Sequence, residues 1–169
     1  MLNVVFIIAQ NNFRDEELLE PKRILERRGV GVKIASATRN VAVGARGSEI
    51  RPDLALPEIK PSQFDGVIFV GGSGATQYFY DLEAYAVARG FYAARKLVAA
   101  ICLASSILGN AGILLGKRVT GFPSEEGNLI NRGAEYTGMP VEVDEMIVTG
   151  KDPAAAVEFG ERLAEVLEA

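Results

Sequence analysis

Apolar and polar positions along the chain switch repeatedly between two periods. Asn3 to Ala9 is an almost unbroken apolar run, as a strand buried on both faces requires. Asp15 to Arg28 then places Leu18, Leu19, Ile24 and Leu25 on one helical stripe and ends at Gly29, a helix stop. Val30 to Ala35 reads as a second strand, and the glycine-punctuated Val41 to Ile50 as a hairpin. A loop with three prolines follows, Arg51 to Ser62. Gly66 to Val70 is a buried strand that runs into Gly71-Gly72-Ser73-Gly74. The pattern continues with a helix over Leu82 to Lys96, a strand over Leu97 to Ile101 and a helix over Ala104 to Gly112. Arg118 to Thr120 predicts a short strand and Glu125 to Arg132 a short helix. Val141 to Asp144 and Met146 to Thr149 form two strands about a tight turn, and Pro153 to Leu167 is a closing helix with proline in its first turn. This alternation predicts an α/β fold, a mainly parallel sheet covered by helices on both faces.

Composition narrows the picture. The 169 residues predict a single domain over 1–169, with no linker, repeat or low-complexity tract. A formal charge of -4 argues against a nucleic-acid or anionic-membrane partner. Leu97 to Gly116 carries no charge over 20 residues, close to the length of a membrane span. Its serines, asparagine and glycines, and the break after Cys102, divide it into a strand and a helix instead. The first residues lack a basic lead-in and read as a strand rather than a signal peptide. One cysteine precludes an intrachain disulfide, and the expected location is the cytoplasm.

That cysteine and the complete absence of histidine carry the chemistry. Cys102 lies where an apolar strand meets a small-residue helix, and a helix N-terminus lowers a thiol pKa. Cys-His, Ser-His and histidine-ligated metal sites are excluded within the chain, so no metal and no cofactor are expected. Open sheets bind ligands beyond the carboxyl ends of their strands. The segments Gln10 to Glu17, Gly71 to Gly74 and the Cys102 turn all arrive there. Each also has a plainer reading. Free cysteine is commonly buried and inert, first-turn acids match the helix dipole, and glycines after a strand make turns. The Gly72 to Gln77 loop lacks the third glycine of a dinucleotide fingerprint, and Gly112 to Arg118 fails as a phosphate loop.

In combination these features are more specific. Ala-Ala-Ile-Cys at a strand end is followed by a helix closing at Ala111-Gly112-Ile113-Leu114, and then by Gly-Lys-Arg-Val-Thr-Gly-Phe-Pro. Gly71-Gly72 lies thirty residues upstream, Glu17 stands four before Pro21, and Ile-Val-Thr-Gly-Lys-Asp-Pro precedes the last helix. From Asn3 to Leu167 the chain resembles the DJ-1/PfpI superfamily. The resemblance implies a flavodoxin-like three-layer α/β/α sandwich with a nucleophile elbow at Cys102, assembled as a homodimer or larger homo-oligomer. It implies Cys102 as nucleophile or redox-sensing thiol, Glu17 as its carboxylate partner, and the Gly72 and Leu103 amides as an oxyanion pocket beside Gly71. Arg46 aligns loosely with an arginine near the site at the family's dimer interface. Two positions depart. Protease-like members carry histidine directly after the cysteine, where this chain has Leu103. Others carry it before the proline, where this chain has Phe122.

The departures remove a Cys-His peptidase and leave a thiol assisted by a carboxylate. Such a pair suits glyoxalase- or deglycase-like chemistry on small reactive carbonyls or glycated substrates, with Glu17 moving protons. Two other readings remain open. The thiol could serve as an oxidation sensor in a stress response. Alternatively, Leu103 and Phe122 fill the pocket of a catalytically impaired peptidase homologue.

Overall fold

The periodic segments line up side by side in a computed structural model that describes all 169 residues. Strand β1 (Asn3–Ile7) leads through β2 (Asn11–Phe13) into helix α1 (Asp15–Arg27) and strand β3 (Gly31–Ser36). Next come the hairpin strands β4 (Ala42–Gly44) and β5 (Glu49–Ile50), then β6 (Leu54–Ala55) and β7 (Gly66–Phe69). A 3-10 stretch (Ser73–Tyr78) precedes α2 (Leu82–Ala93), and β8 (Leu97–Ile101) runs through a 3-10 turn (Cys102–Ala104) into α3 (Ser105–Asn110). The remainder is β9 (Arg118–Val119), α4 (Glu126–Asn131), β10 (Glu135–Tyr136), β11 (Val141–Asp144), β12 (Ile147–Gly150) and α5 (Ala156–Glu168).

Seven strands form the central sheet in the order β11-β12-β8-β7-β1-β3-β6. Every neighbouring pair is parallel except β11 with β12. Side chains alternate across it. Val5, Ile7, Val67, Phe69, Val98 and Ala100 join the core under α2 and α3. Val4, Phe6, Ile68, Ala99 and Ile101 join a second core, under α1 and α5. Two buried faces explain why these strands read as continuous apolar runs. The result is the three-layer α/β/α sandwich with a mainly parallel sheet.

Register places the site. Ile7 pairs with Phe69 and Phe69 with Ala100, so β1, β7 and β8 end together at one carboxyl edge. The segments leaving that edge are the ones that carry Glu17, Gly71-Gly72 and Cys102.

Several boundaries differ from the pattern-based expectation. The helix expected over Ala104 to Gly112 covers only Ser105–Asn110, because the chain leaves Cys102 through a 3-10 turn. Helix α2 stops at Ala93, short of Lys96, where Arg95 turns into the left-handed region at φ 59°. Strands β2, β6 and β10 and the Ser73–Tyr78 stretch have no counterpart in the sequence pattern. The three strands are two or three residues long and held by tertiary pairing, and the 3-10 stretch spans only six residues, too short in each case to leave a periodic trace. Leu97–Gly116 is divided between β8 and α3, and no helix is long and apolar enough to cross a membrane.

Helices α1 and α5 pack at close range where α5 has Gly160. A Cβ there would lie 2.9 Å from both the Pro21 Cα and the Ile24 Cδ1. Gly160→Val should therefore lower stability by about 1–3 kcal/mol through overpacking. Gly127, in α4, has open space around its missing Cβ, and Gly127→Ala should raise stability by about 0.4–1 kcal/mol. Urea unfolding of both variants checks the pair; equal effects would contradict the close α1–α5 contact.

Candidate active site

Cys102 is buried, 5% exposed, and sits at φ 64° directly after the extended Ile101. A non-glycine residue in the left-handed region is strained, and such strain collects at functional turns. The strand-to-helix geometry of a nucleophile elbow is thus present.

Glu17 reaches the sulfur from α1. That helix buries Asp15, Glu17, Leu18, Pro21 and Leu25, so Glu17 occupies the inward face where the period calls for an apolar residue. It is wholly buried, and neither carboxyl oxygen has a partner of ordinary hydrogen-bond geometry. The groups that act on the carboxyl at looser range are the Cys102 thiol, the Arg14 guanidinium and the Gly71 amide. Gly71 makes the approach possible. A Cβ on it would lie 2.5 Å from Glu17 Oε1, 2.6 Å from the Ile101 carbonyl oxygen and 2.7 Å from Cys102 Cβ. Gly72 follows at φ 100°, and a Cβ there would strike the Arg14 nitrogen and the Asn12 carbonyl oxygen.

The ionisation of this pair departs from the expectation of a thiol activated by a helix end. Burial and the facing Glu17 carboxyl push the Cys102 thiol up, against the opposite pull of the Leu103 and Gly72 amides. The helix behind it has only six residues and begins after a 3-10 turn, so its dipole is too weak to reverse desolvation. Glu17 is itself pushed up to about 8, chiefly by burial. At neutral pH the pair therefore holds both of its protons for most of the time. Its first ionisation leaves one proton between carboxyl and sulfur.

The other expected residues lie as follows. The Leu103 side chain is partly buried and packs against both cores, while its amide faces the sulfur charge. The Phe122 N–H donates to the Cys102 carbonyl oxygen at 3.2 Å, and its ring is 37% exposed rather than filling a pocket. Arg46 sits in the β4–β5 turn. Its N–H donates to Asp15 Oδ1 at 2.8 Å, and its Nε is 4.0 Å from Glu16 Oε1.

Arg14 is the arginine whose charge is coupled to both Glu17 and Cys102, and sequence reasoning missed it. Its N–H donates to the Gly71 carbonyl oxygen at 2.9 Å, and its Nη2 is 2.8 Å from Glu16 Oε2. Nothing in the sequence distinguishes it from an ordinary residue before a helix. Glu17, by contrast, was singled out by its place four residues before Pro21 in the family resemblance. No group of three acidic or thiol side chains converges to hold a metal ion.

The raised carboxyl has a consequence for stability. Because the folded-state pKa of Glu17 lies above the unfolded value of 4.5, the native state binds the extra proton between about pH 4.5 and 8. Stability falls across that window as pH rises, by up to about 1.4 kcal/mol per pH unit. Glu17→Gln should flatten this decline and be more stable than the parent at pH 8. Urea midpoints at pH 5 and 8 test it, and parallel pH profiles for the two proteins would refute a buried, raised carboxyl.

Known proteins share both the sequence and the architecture. The DJ-1/PfpI family model matches residues 3–166. A Methanocaldococcus jannaschii protein is 34% identical over 168 residues, covering 98% of this chain and 82% of its own. A Pyrococcus horikoshii protein named as a deglycase is 33% identical over 153 residues, covering 90% of this chain and 92% of its own. The crystal structure of a ThiJ/PfpI domain protein from Brachyspira murdochii superposes with a TM-score of 0.96 at 31% identity, covering 98% of this chain and 96% of that one. Drosophila melanogaster DJ-1beta gives 0.90 at 27% identity, covering 99% and 91%. Matched along nearly its whole length in sequence, and in its sandwich architecture, the chain belongs to the DJ-1/PfpI family.

Proposed function

We propose that the protein is a cofactor-independent enzyme of glyoxalase or deglycase type, in which Cys102 attacks a reactive carbonyl and Glu17 moves the protons. The observation that carries this reading is the buried Glu17 carboxyl, which has no conventional hydrogen-bond partner and is set against the only thiol. A buried carboxyl without a partner costs stability, and a base with a pKa of about 8 suits proton transfer near neutrality. Archaeal relatives named as deglycases add support.

The steps balance without an oxidant or reductant. Ionised Glu17 takes the thiol proton as Sγ bonds to the carbonyl carbon. The carbonyl electron pair moves onto oxygen, beside the Gly72 and Leu103 amides that favour negative charge. Glu17 returns the proton to that oxygen, giving a hemithioacetal. On an α-oxoaldehyde, Glu17 then carries the former aldehyde hydrogen as a proton to the neighbouring carbon while the hemithioacetal hydroxyl proton passes to the neighbouring carbonyl oxygen. Water cleaves the resulting thioester to an α-hydroxy acid and the free thiol. On an aldehyde–amine adduct, sulfur displaces nitrogen and the amine leaves with the proton.

Peptidase chemistry of the Cys-His kind has no base in this chain or in identical copies of it, since histidine is absent. The oxidation-sensor reading is weakened by the raised, nearly buried thiol, because oxidation follows thiolate character and exposure.

Methylglyoxal turnover tests the proposal. Cys102→Ala should abolish it, and Glu17→Gln should reduce kcat/KM by about 10²–10⁴-fold. Turnover by the parent should climb as pH rises through about 8, where the pair loses its first proton. Undiminished turnover in either variant would exclude the mechanism.

A further inference from the structure

Beside the elbow lies a cleft of 440 Å3 with no ionisable and no apolar side chain in its wall. Gln10, Asn11 and Asn12 line it from the segment after β1, and Ser73, Thr76 and Gln77 from the 3-10 stretch after β7. The two walls touch at Gly74, where a Cβ would collide with the Asn11 carbonyl oxygen. Some of the polar groups are already engaged, one of them across the two walls. The Gln10 N–H donates to Gln77 Oε1 at 2.9 Å, the Gln10 side-chain oxygen accepts from Thr38, and Thr76 Oγ1 donates to the Ser73 carbonyl oxygen at 3.0 Å. Other lining residues carry polar groups with no such bond: the Asn11 and Asn12 side-chain amides, Ser73 Oγ and Gln77 Nε2.

We propose that this cleft is the subsite for a neutral, hydroxyl-bearing carbon chain, so that the substrate is a polyhydroxylated aldehyde or its amine adduct with its carbonyl carbon on Cys102. The proposal rests on the thiol–carboxylate reading above and adds the class of group attached to the carbonyl. Amide and hydroxyl side chains offer both donors and acceptors, the complement of a row of hydroxyls. The wall has no charged side chain to select an ion and no hydrophobic side chain to anchor a hydrocarbon tail.

Position supports the same class. The wall begins at Ser73, one Cα step of about 3.8 Å beyond Gly72, whose amide favours charge on the sulfur. The Ser73–Tyr78 stretch packs against the Cys102–Ala104 turn. The cleft thus adjoins the segment whose amide acts on the sulfur, on the side toward which the chain of a carbonyl compound held by Sγ would extend under this proposal. Asn12, in the left-handed region at φ 61°, turns the opposite wall.

The test uses the full chain and two four-carbon aldehydes, erythrose and butyraldehyde, which differ in their hydroxyls. Each is scored by its protection of Cys102 against iodoacetamide. Concentrations are expressed as free aldehyde, and the ratio is normalised to that for N-acetylcysteine, which removes the intrinsic difference in electrophilicity. Erythrose should protect at least tenfold better than butyraldehyde. Asn11→Ala and Ser73→Ala, each referred to its own unprotected rate and checked for a cooperative melt, should bring the ratio close to 1. A parent ratio of 1, or a preference that survives both substitutions, overturns the subsite while leaving the carbonyl chemistry intact. Failure of both aldehydes to protect Cys102 overturns the carbonyl reading, and the subsite with it.

Discussion

The approach of a carboxyl group to a thiol over a position with no Cβ is the constraint on which this structure turns. Glu17 comes from α1, Cys102 from the turn after β8, and Gly71 from the end of β7, so three separate crossovers must be in register for the contact to exist. Parallel pairing of β1, β7 and β8 supplies that register. Every ladder hydrogen bond of the central strands thus contributes to the placement of two side chains. The cost is local. Cys102 is strained, Glu17 is buried without a conventional partner, and the nearby Ser105 and Thr120 hydroxyls are also buried and unpaired. Relaxed polar satisfaction gathered around a strained turn is the pattern expected of a functional site.

Electrostatics at this edge is governed by desolvation more than by the helix dipole. A six-residue helix entered through a 3-10 turn offers the sulfur little beyond two amides, whereas burial acts on both acids of the pair. Both acids consequently keep their protons near neutral pH, and the pair becomes reactive by losing one of the two rather than by holding a free thiolate at all times. Arg14 tempers the cost, because its charge opposes the upward shift of Glu17. Glu16, bonded to Arg14 and near Arg46, keeps that charge local.

Much of the fold was legible in the chain. The apolar runs Asn3–Ala9, Gly66–Val70 and Leu97–Ile101 are buried on both faces and so show no alternation, which identifies them as central parallel strands. Glu17 was legible only through the family resemblance, four residues before Pro21, because from the pattern alone it is one of three first-turn acids that match the helix dipole. The elements that escaped notice, β2, β6, β10 and the Ser73–Tyr78 stretch, owe their form to neighbours distant in sequence. Arg14 escaped for the same reason, since its relation to the thiol runs through the backbone contact with Gly71.

The chain by itself determined the alternating α/β architecture and the chemical inventory, one thiol and no histidine, because period and composition are local properties. Tertiary structure decided how that inventory behaves. It decided that the Cys102 thiol is raised rather than lowered, that Arg14 is coupled to it, and that an uncharged polar cleft opens beside Gly72. Desolvation, charge coupling and cavity lining depend on which atoms from remote segments meet, and no window of sequence contains that information.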